Sequence, residues 1–108
     1  MKKITERIKN AFDNGQSLKV NNTTTDGTSV WLWGNEIIRR DQSGAILFTF
    51  AGWGSVTTRE RLKGIIGVDV YQKNKEQYYN GQKVFDLHSW FVKHDHLAPS
   101  PASAGINI

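Results

Sequence analysis

Ile4, Ile8, Ala11 and Phe12 recur at the three- and four-residue spacing of one helix face, with Lys2, Lys3, Arg7 and Lys9 on the other side. This predicts an amphipathic N-terminal helix stopped by Asn14-Gly15. The period then changes. Leu18 and Val20 share one face of the threonine-rich stretch LKVNNTTT, and Asp26-Gly27 is a tight-turn pair leading into SVWLWGNEIIRR, so the two stretches read as a β-hairpin. The turn DQSG, residues 41–44, reverses the chain into AILFTFA, where Ile46, Phe48 and Phe50 alternate with Ala45, Leu47 and Thr49. Both faces of that strand are apolar, which predicts a central position covered on both sides.

A second helix is signalled by Thr57 and Glu60, spaced as a capping box, by the apolar stripe Leu62, Ile65 and Ile66, and by Gly67 as a left-handed stop. VDVYQK, a turn at residues 74–76, QYY, the turn pair Asn80-Gly81 and QKVFDL follow as a second meander, and HSWFVK adds a last strand. The expected fold is α+β: an N-terminal helix, an antiparallel sheet of about five to six strands, and one short helix inserted between two meanders. Residues 1–97 are expected to form one domain. From Ala98 on, APSPASAGINI is small, uncharged and punctuated by Pro99 and Pro101, which suits a mobile or extended tail over residues 98–108.

A length of 108 residues fits one domain, and twelve aromatic residues supply much of its core. There is no cysteine, which excludes disulfides and thiolate metal sites. No stretch has the apolar run of a signal peptide or a membrane span, so an intracellular, cytoplasmic protein is the expectation. The net charge of +4 is concentrated in the first ten residues, at Arg39-Arg40, and at Arg59, Arg61 and Lys63. Such a basic protein can attract polyanions, nucleic acid among them.

Each candidate site has a structural alternative. Trp53, between Gly52 and Gly54, is a stacking platform for a base or peptide, or an indole folded over the start of the second helix. Trp31 and Trp33, two apart on a strand, share a face and stack on bases or pack a covered sheet. Arg59 and Lys63 share a helix face, with Arg61 on another; together with Arg39 and Arg40 they are phosphate contacts or a solvated surface. The best single-ligand expectation is an anion near Thr57, Thr58 and Arg59 at the helix start. His88, His94 and His96 form a run with Asp86 and Asp95, and in an extended segment His94 and His96 point the same way, a weak metal-site candidate. No phosphate-cradling loop, nucleophile elbow or zinc-protease motif occurs, so neither catalysis nor a cofactor is expected.

The stretches LKVNNTTT, VWLWGNEIIRR and AGWGSVTTRERLKGI resemble a group of small proteins of tailed bacteriophages and prophages with a G-W-x-(S/T)-x-T-T-x-x-R-L segment. The matching positions are Asn22 and Thr23, Gly34 and Asn35, then Gly52, Trp53, Ser55, Thr57, Thr58, Arg61 and Leu62, with Lys63 where the pattern has Asn. The resemblance spans residues 18–66 and implies a phage origin and a host-cell cytoplasmic setting, without implying a reaction. The expectation is therefore a non-catalytic phage accessory protein that binds a macromolecule, nucleic acid slightly ahead of a host protein. The alternatives are an inhibitor of a host enzyme or defence complex, and a small metal-dependent enzyme using the C-terminal histidines. No membrane partner is expected. Pairing with a second copy through an edge strand at Asp69–Lys73 is allowed, and would make a homodimer.

Overall fold

The stripe Ile8, Ala11 and Phe12 forms the buried face of α1 (Lys3–Asp13), together with Thr5. The computed structural model describes residues 2–93, so His94 and His96 and the tail expected over residues 98–108 lie outside the described residues. Asn14 and Gly15 end α1, and the chain turns back so closely that a Cβ on Gly27 would lie 2.4 Å from the Gly15 carbonyl carbon. Only glycine fits at position 27, which also has φ +89°.

Each of the two long strands expected next is itself a hairpin. LKVNNTTT divides into β1 (Leu18–Val20) and β2 (Thr23–Thr25) around Asn21, whose φ is 55°. VWLWGNEIIRR divides into β3 (Ser29–Leu32) and β4 (Asn35–Arg40) around Trp33-Gly34, with φ of 50° and 80°. Positive φ at both central residues makes this a type I′ turn, whose twist matches the strands it joins. β5 (Ile46–Phe48) follows, and β9 (Phe91–Val92) completes an antiparallel sheet in the order β1-β2-β3-β4-β5-β9.

One row of paired residues crosses all six strands: Leu18, Thr25, Val30, Ile38, Phe48 and Phe91. This is the core face. Between Val30 and Trp31 the register slips, so that Trp31 opposes Glu36 and Ile37 is the extra residue of a β-bulge. The bulge lets Ile37 and Ile38, adjacent in sequence, both be fully buried. It also brings Glu36 and Arg39, three apart and so on opposite faces of a regular strand, into an ion pair of 2.6 Å.

α2 (Val56–Ile66) lies over the same face as α1 and buries Leu62, Ile65 and Ile66. Its N-cap is Ser55 rather than the expected Thr57: the Ser55 hydroxyl accepts from the Thr58 amide at 3.0 Å. Glu60 does not reach back to cap the helix because it is taken by α1, accepting from the Thr5 hydroxyl at 2.7 and 2.8 Å. Gly67 ends the helix at φ +71° with its amide on the Lys63 carbonyl. A second antiparallel sheet, β6 (Val70–Lys73), β7 (Glu76–Tyr79) and β8 (Gln82–Lys83), packs on the large sheet through Tyr79, whose ring meets Phe48 edge-on at 4.8 Å.

Both helices and the small sheet thus share one face of the large sheet. β5 is interior to the sheet as expected; Phe48 is buried on the core side, and on the other side Leu47 is half-buried and Thr49 buried. The opposite face carries Lys19, Thr24, Trp31 and Glu36 in one row and Ser29, Arg39, Leu47 and Val92 in the next, a polar-rich surface that stays hydrated.

Candidate functional site

Trp33 and Trp53 come from different elements and meet at the surface, ring centroids 6.0 Å apart at 57°. They are 48% and 53% exposed. Each is displayed by backbone that side chains seldom adopt. Trp33 occupies the first central position of the β3–β4 turn, where Asn or Gly is preferred, and its amide donates to the Asn22 carbonyl at 2.9 Å. Trp53 follows Ala51 and Gly52, both at positive φ, and its amide donates to the Phe50 carbonyl. Glycine suits position 52 because its φ is +82°, and the His88 imidazole packs on it, 2.5 Å from where a Cβ would lie.

Two sequence-level expectations change here. Trp33 does not share a strand face with Trp31, because it has left the strand for the turn; Trp31 lies half-buried on the open sheet face. Trp53 does not fold over the helix start into the core: it is 53% exposed, while Phe50 three residues earlier is fully buried.

Arg40, Arg59 and Arg61 are committed to the fold. Arg61 is 3% exposed and donates to the hydroxyls of Thr23 and Thr5, at 2.9 and 3.0 Å, to the Asn22 amide oxygen at 3.2 Å and to Glu60. It bridges α1, α2 and the β1–β2 turn, the turn whose Asn22 carbonyl holds Trp33, and burial removes it from any partner surface. Arg59 is half-buried and donates to the Gly54 carbonyl at 3.0 Å and to Gln77 at 2.9 Å, fastening the loop after Trp53 to β7. Arg40 donates to the Gly27 carbonyl at 2.6 Å and stacks on Phe12 at 4.1 Å. Arg39 pairs with Glu36 and lies 4.5 Å from the Trp90 ring centre on the open face. Lys63 is exposed. Of the three residues at the α2 N-terminus where an anion was expected, Thr58 is buried with its amide on the Ser55 hydroxyl, and Thr57 and Arg59 are half-buried.

The Arg39 hydrogen bond, joined by one from Ser29, holds the Glu36 carboxyl below its ordinary value, and the amides of Ser29 and Thr28 do the same for Asp26. These shifts belong to ion pairing and turn geometry, and neither group faces a cleft that would use it as an acid or base. His88 packs on Gly52, and among the described residues no group of three or more His, Cys, Asp or Glu side chains is placed to hold a metal ion. No helix among the described residues is long and apolar enough to cross a membrane.

An open groove of about 570 Å3 runs between α2 and β6, with Val56, Arg59, Glu60 and Lys63 on the helix side and Val70 and Tyr71 on the strand side. Tyr71 stacks in parallel on Tyr78, centroids 5.2 Å apart. Nothing in the sequence pointed to Gln77 as a buried partner of Arg59, or to Trp90 and the groove as parts of the surface. Gln77 is recognisable only once the β6–β7 pairing places it against Arg59.

The model of a phage protein family, described as Kyanoviridae Gp96 protein, matches residues 1–100, and the chain belongs to that family. The matched range includes the whole stretch of residues 18–66 that carries the resemblance to tailed-phage proteins. No curated protein and no solved structure matches the chain.

Proposed function

We propose that this member of the Kyanoviridae Gp96 family is a non-catalytic phage accessory protein that binds single-stranded nucleic acid by stacking exposed bases on Trp33 and Trp53. The observation that carries the reading is the pair itself: two half-exposed indoles held together by two strained backbone segments. Strain of this kind persists where it serves a site, and a large residue at φ 50° costs about 1–2 kcal/mol that Asn or Gly would avoid. Indoles at 57° leave their outer faces open, and every base has a π-face to place on them. The fold occupies Arg40, Arg59 and Arg61 internally, so stacking carries more of this affinity than phosphate contact, and the salt dependence of binding is shallow.

Titration of tryptophan fluorescence with a short single-stranded oligonucleotide tests this. Trp33→Asn and Trp53→Ala should each weaken binding by about 1–3 kcal/mol, the measured range for a base–aromatic stack. Unchanged affinity in both variants would overturn the reading. Inhibition of a host enzyme or defence complex is the second reading, favoured by the same exposed tryptophans and by Phe85, at 86% the most exposed large apolar side chain among the described residues. Capture of a host protein that survives nuclease treatment and is lost in Trp33→Asn, with no response to the oligonucleotide, would decide for it.

A further inference from the structure

We propose that the protein forms a two-fold symmetric homodimer through the free edge of β6, joining the two small sheets into one six-stranded sheet. This does not depend on the ligand of the tryptophans.

The register of the β6–β7 hairpin fixes which main-chain groups face outward. Lys73 opposes Glu76 across the two-residue turn Asn74-Lys75, and that closing pair exchanges hydrogen bonds. Bonded and non-bonded pairs alternate along the ladder, so Tyr71 bonds to Tyr78 while the main chains of Val70 and Gln72 point away from β7. Two contacts agree with this assignment: the Asn80 amide donates to the Asp69 carbonyl at 2.9 Å, and the Val70 amide turns back to the Val68 carbonyl at 3.1 Å. Gln72 therefore presents an amide and a carbonyl at an unpaired edge. With four residues β6 is the longest of the edge strands β1, β6, β8 and β9 among the described residues. It also borders the open groove, where Val56 is exposed beside it.

Antiparallel pairing of β6 with itself must place outward residues opposite outward residues. Setting Val70 opposite the partner's Gln72 lets each Gln72 amide donate to the partner's Val70 carbonyl, one bond per pair because the Val70 amide stays on Val68, and puts Tyr71 at the two-fold axis, opposite the partner's Tyr71. The same register sets Asp69 opposite the partner's Lys73, and Lys73 opposite the partner's Asp69. Both residues are exposed. The ion pairs form twice, at the two ends of the interface, which is the charge complementarity an isologous contact needs. The tyrosine pair at the axis extends the existing Tyr71–Tyr78 stack on each side. The α2 wall of the groove carries Arg59 and Lys63 together with Glu60, so it does not repel its own copy as a surface of one sign would.

Sedimentation equilibrium over a concentration series tests the proposal. The wild type should rise from the 12.2 kDa monomer toward twice that mass. Asp69→Lys alone, which faces Lys73 of its partner copy, should shift the dissociation constant upward by about tenfold or more, and Lys73→Asp alone should do the same, as like charges directly opposite oppose pairing. An equimolar mixture of the two variants should associate again, since each then meets the opposite charge, and the double variant should self-associate like the parent. Circular dichroism of each variant confirms that the monomer is folded. A wild type that stays monomeric throughout, an Asp69→Lys variant that dimerises like the parent, or a mixture no more associated than its components would overturn the proposal.

Discussion

Arg61→Ala removes a guanidinium that is 3% exposed and binds four partners: Thr5, Thr23, Asn22 and Glu60. Were Arg61 a partner-facing cation, the change would alter stability by no more than about 0.5 kcal/mol. In its actual setting it leaves two fully buried hydroxyls short of a donor and a carboxylate without its counter-charge. Removing one member of a buried ion pair costs about 3–5 kcal/mol. Glu60 is 22% exposed, so water recovers part of its charge, and the lower end of that range, about 3 kcal/mol, is the expectation. For a chain of this length that is a fall in melting temperature of about 12 °C. Urea unfolding followed by far-UV circular dichroism measures it, with the midpoint falling and the slope unchanged. Arg61→Lys keeps the charge but not the fork that reaches Thr23, Thr5 and Asn22 together, and should fall between parent and alanine variant. A loss below about 1 kcal/mol for Arg61→Ala would refute the argument that the network holds the helices to the β1–β2 turn.

Ser55→Ala should cost about 1 kcal/mol through the lost cap, while Thr57→Ala, one turn position inside the helix, should stay within about 0.5 kcal/mol in the same unfolding assay. Trp33→Asn relieves backbone strain of about 1–2 kcal/mol and gives up an aromatic contact of about 0.5–1.5 kcal/mol, so its stability should match the parent within about 1 kcal/mol; a loss above about 2 kcal/mol would show that the indole is a packing residue. Glu36 has a folded value held below its ordinary 4.5, so its contribution is present above that value and lost as pH falls through the folded value. Glu36→Gln should be less stable than the parent near neutral pH, with the difference closing below pH 4.5, and a gap independent of pH would remove the ion pair as its cause.

Where local chemistry decides, the fold was legible. The spacing of Ile8, Ala11 and Phe12 gave α1, Gly67 marked the end of α2, and Asn80-Gly81 marked a hairpin. Trp33-Gly34 was not legible as a turn, because tryptophan is a poor residue for φ 50° and the alternation of VWLW argues for a continuous strand. The α2 cap was ambiguous because Ser55 and Thr57 both offer a hydroxyl, and what separates them is that Glu60 is bound by α1. The burial of Arg61 depends on Thr5, Asn22 and Thr23, which lie 38 to 56 residues away in sequence. For the same reason the candidate site was half visible: each tryptophan was singled out, but their meeting needs the β3–β4 turn and the α2 loop to be side by side.

The order of strands also has a consequence for biosynthesis. β2 to β5 each pair with the strand before them, so this meander closes only short loops and can form while the rest of the chain is still being made. β9, by contrast, docks on β5 across the whole segment that forms α2 and the small sheet. Until residues 91–92 have emerged from the ribosome, β5 is a bare edge made of Ile46, Leu47 and Phe48, and three apolar residues with unpaired main chain are a template for a neighbouring nascent chain. Chains truncated before Phe91 should therefore accumulate as aggregates. The two-residue β9 should matter to the newborn protein out of proportion to its length, which the fraction of truncated chain left soluble after expression measures.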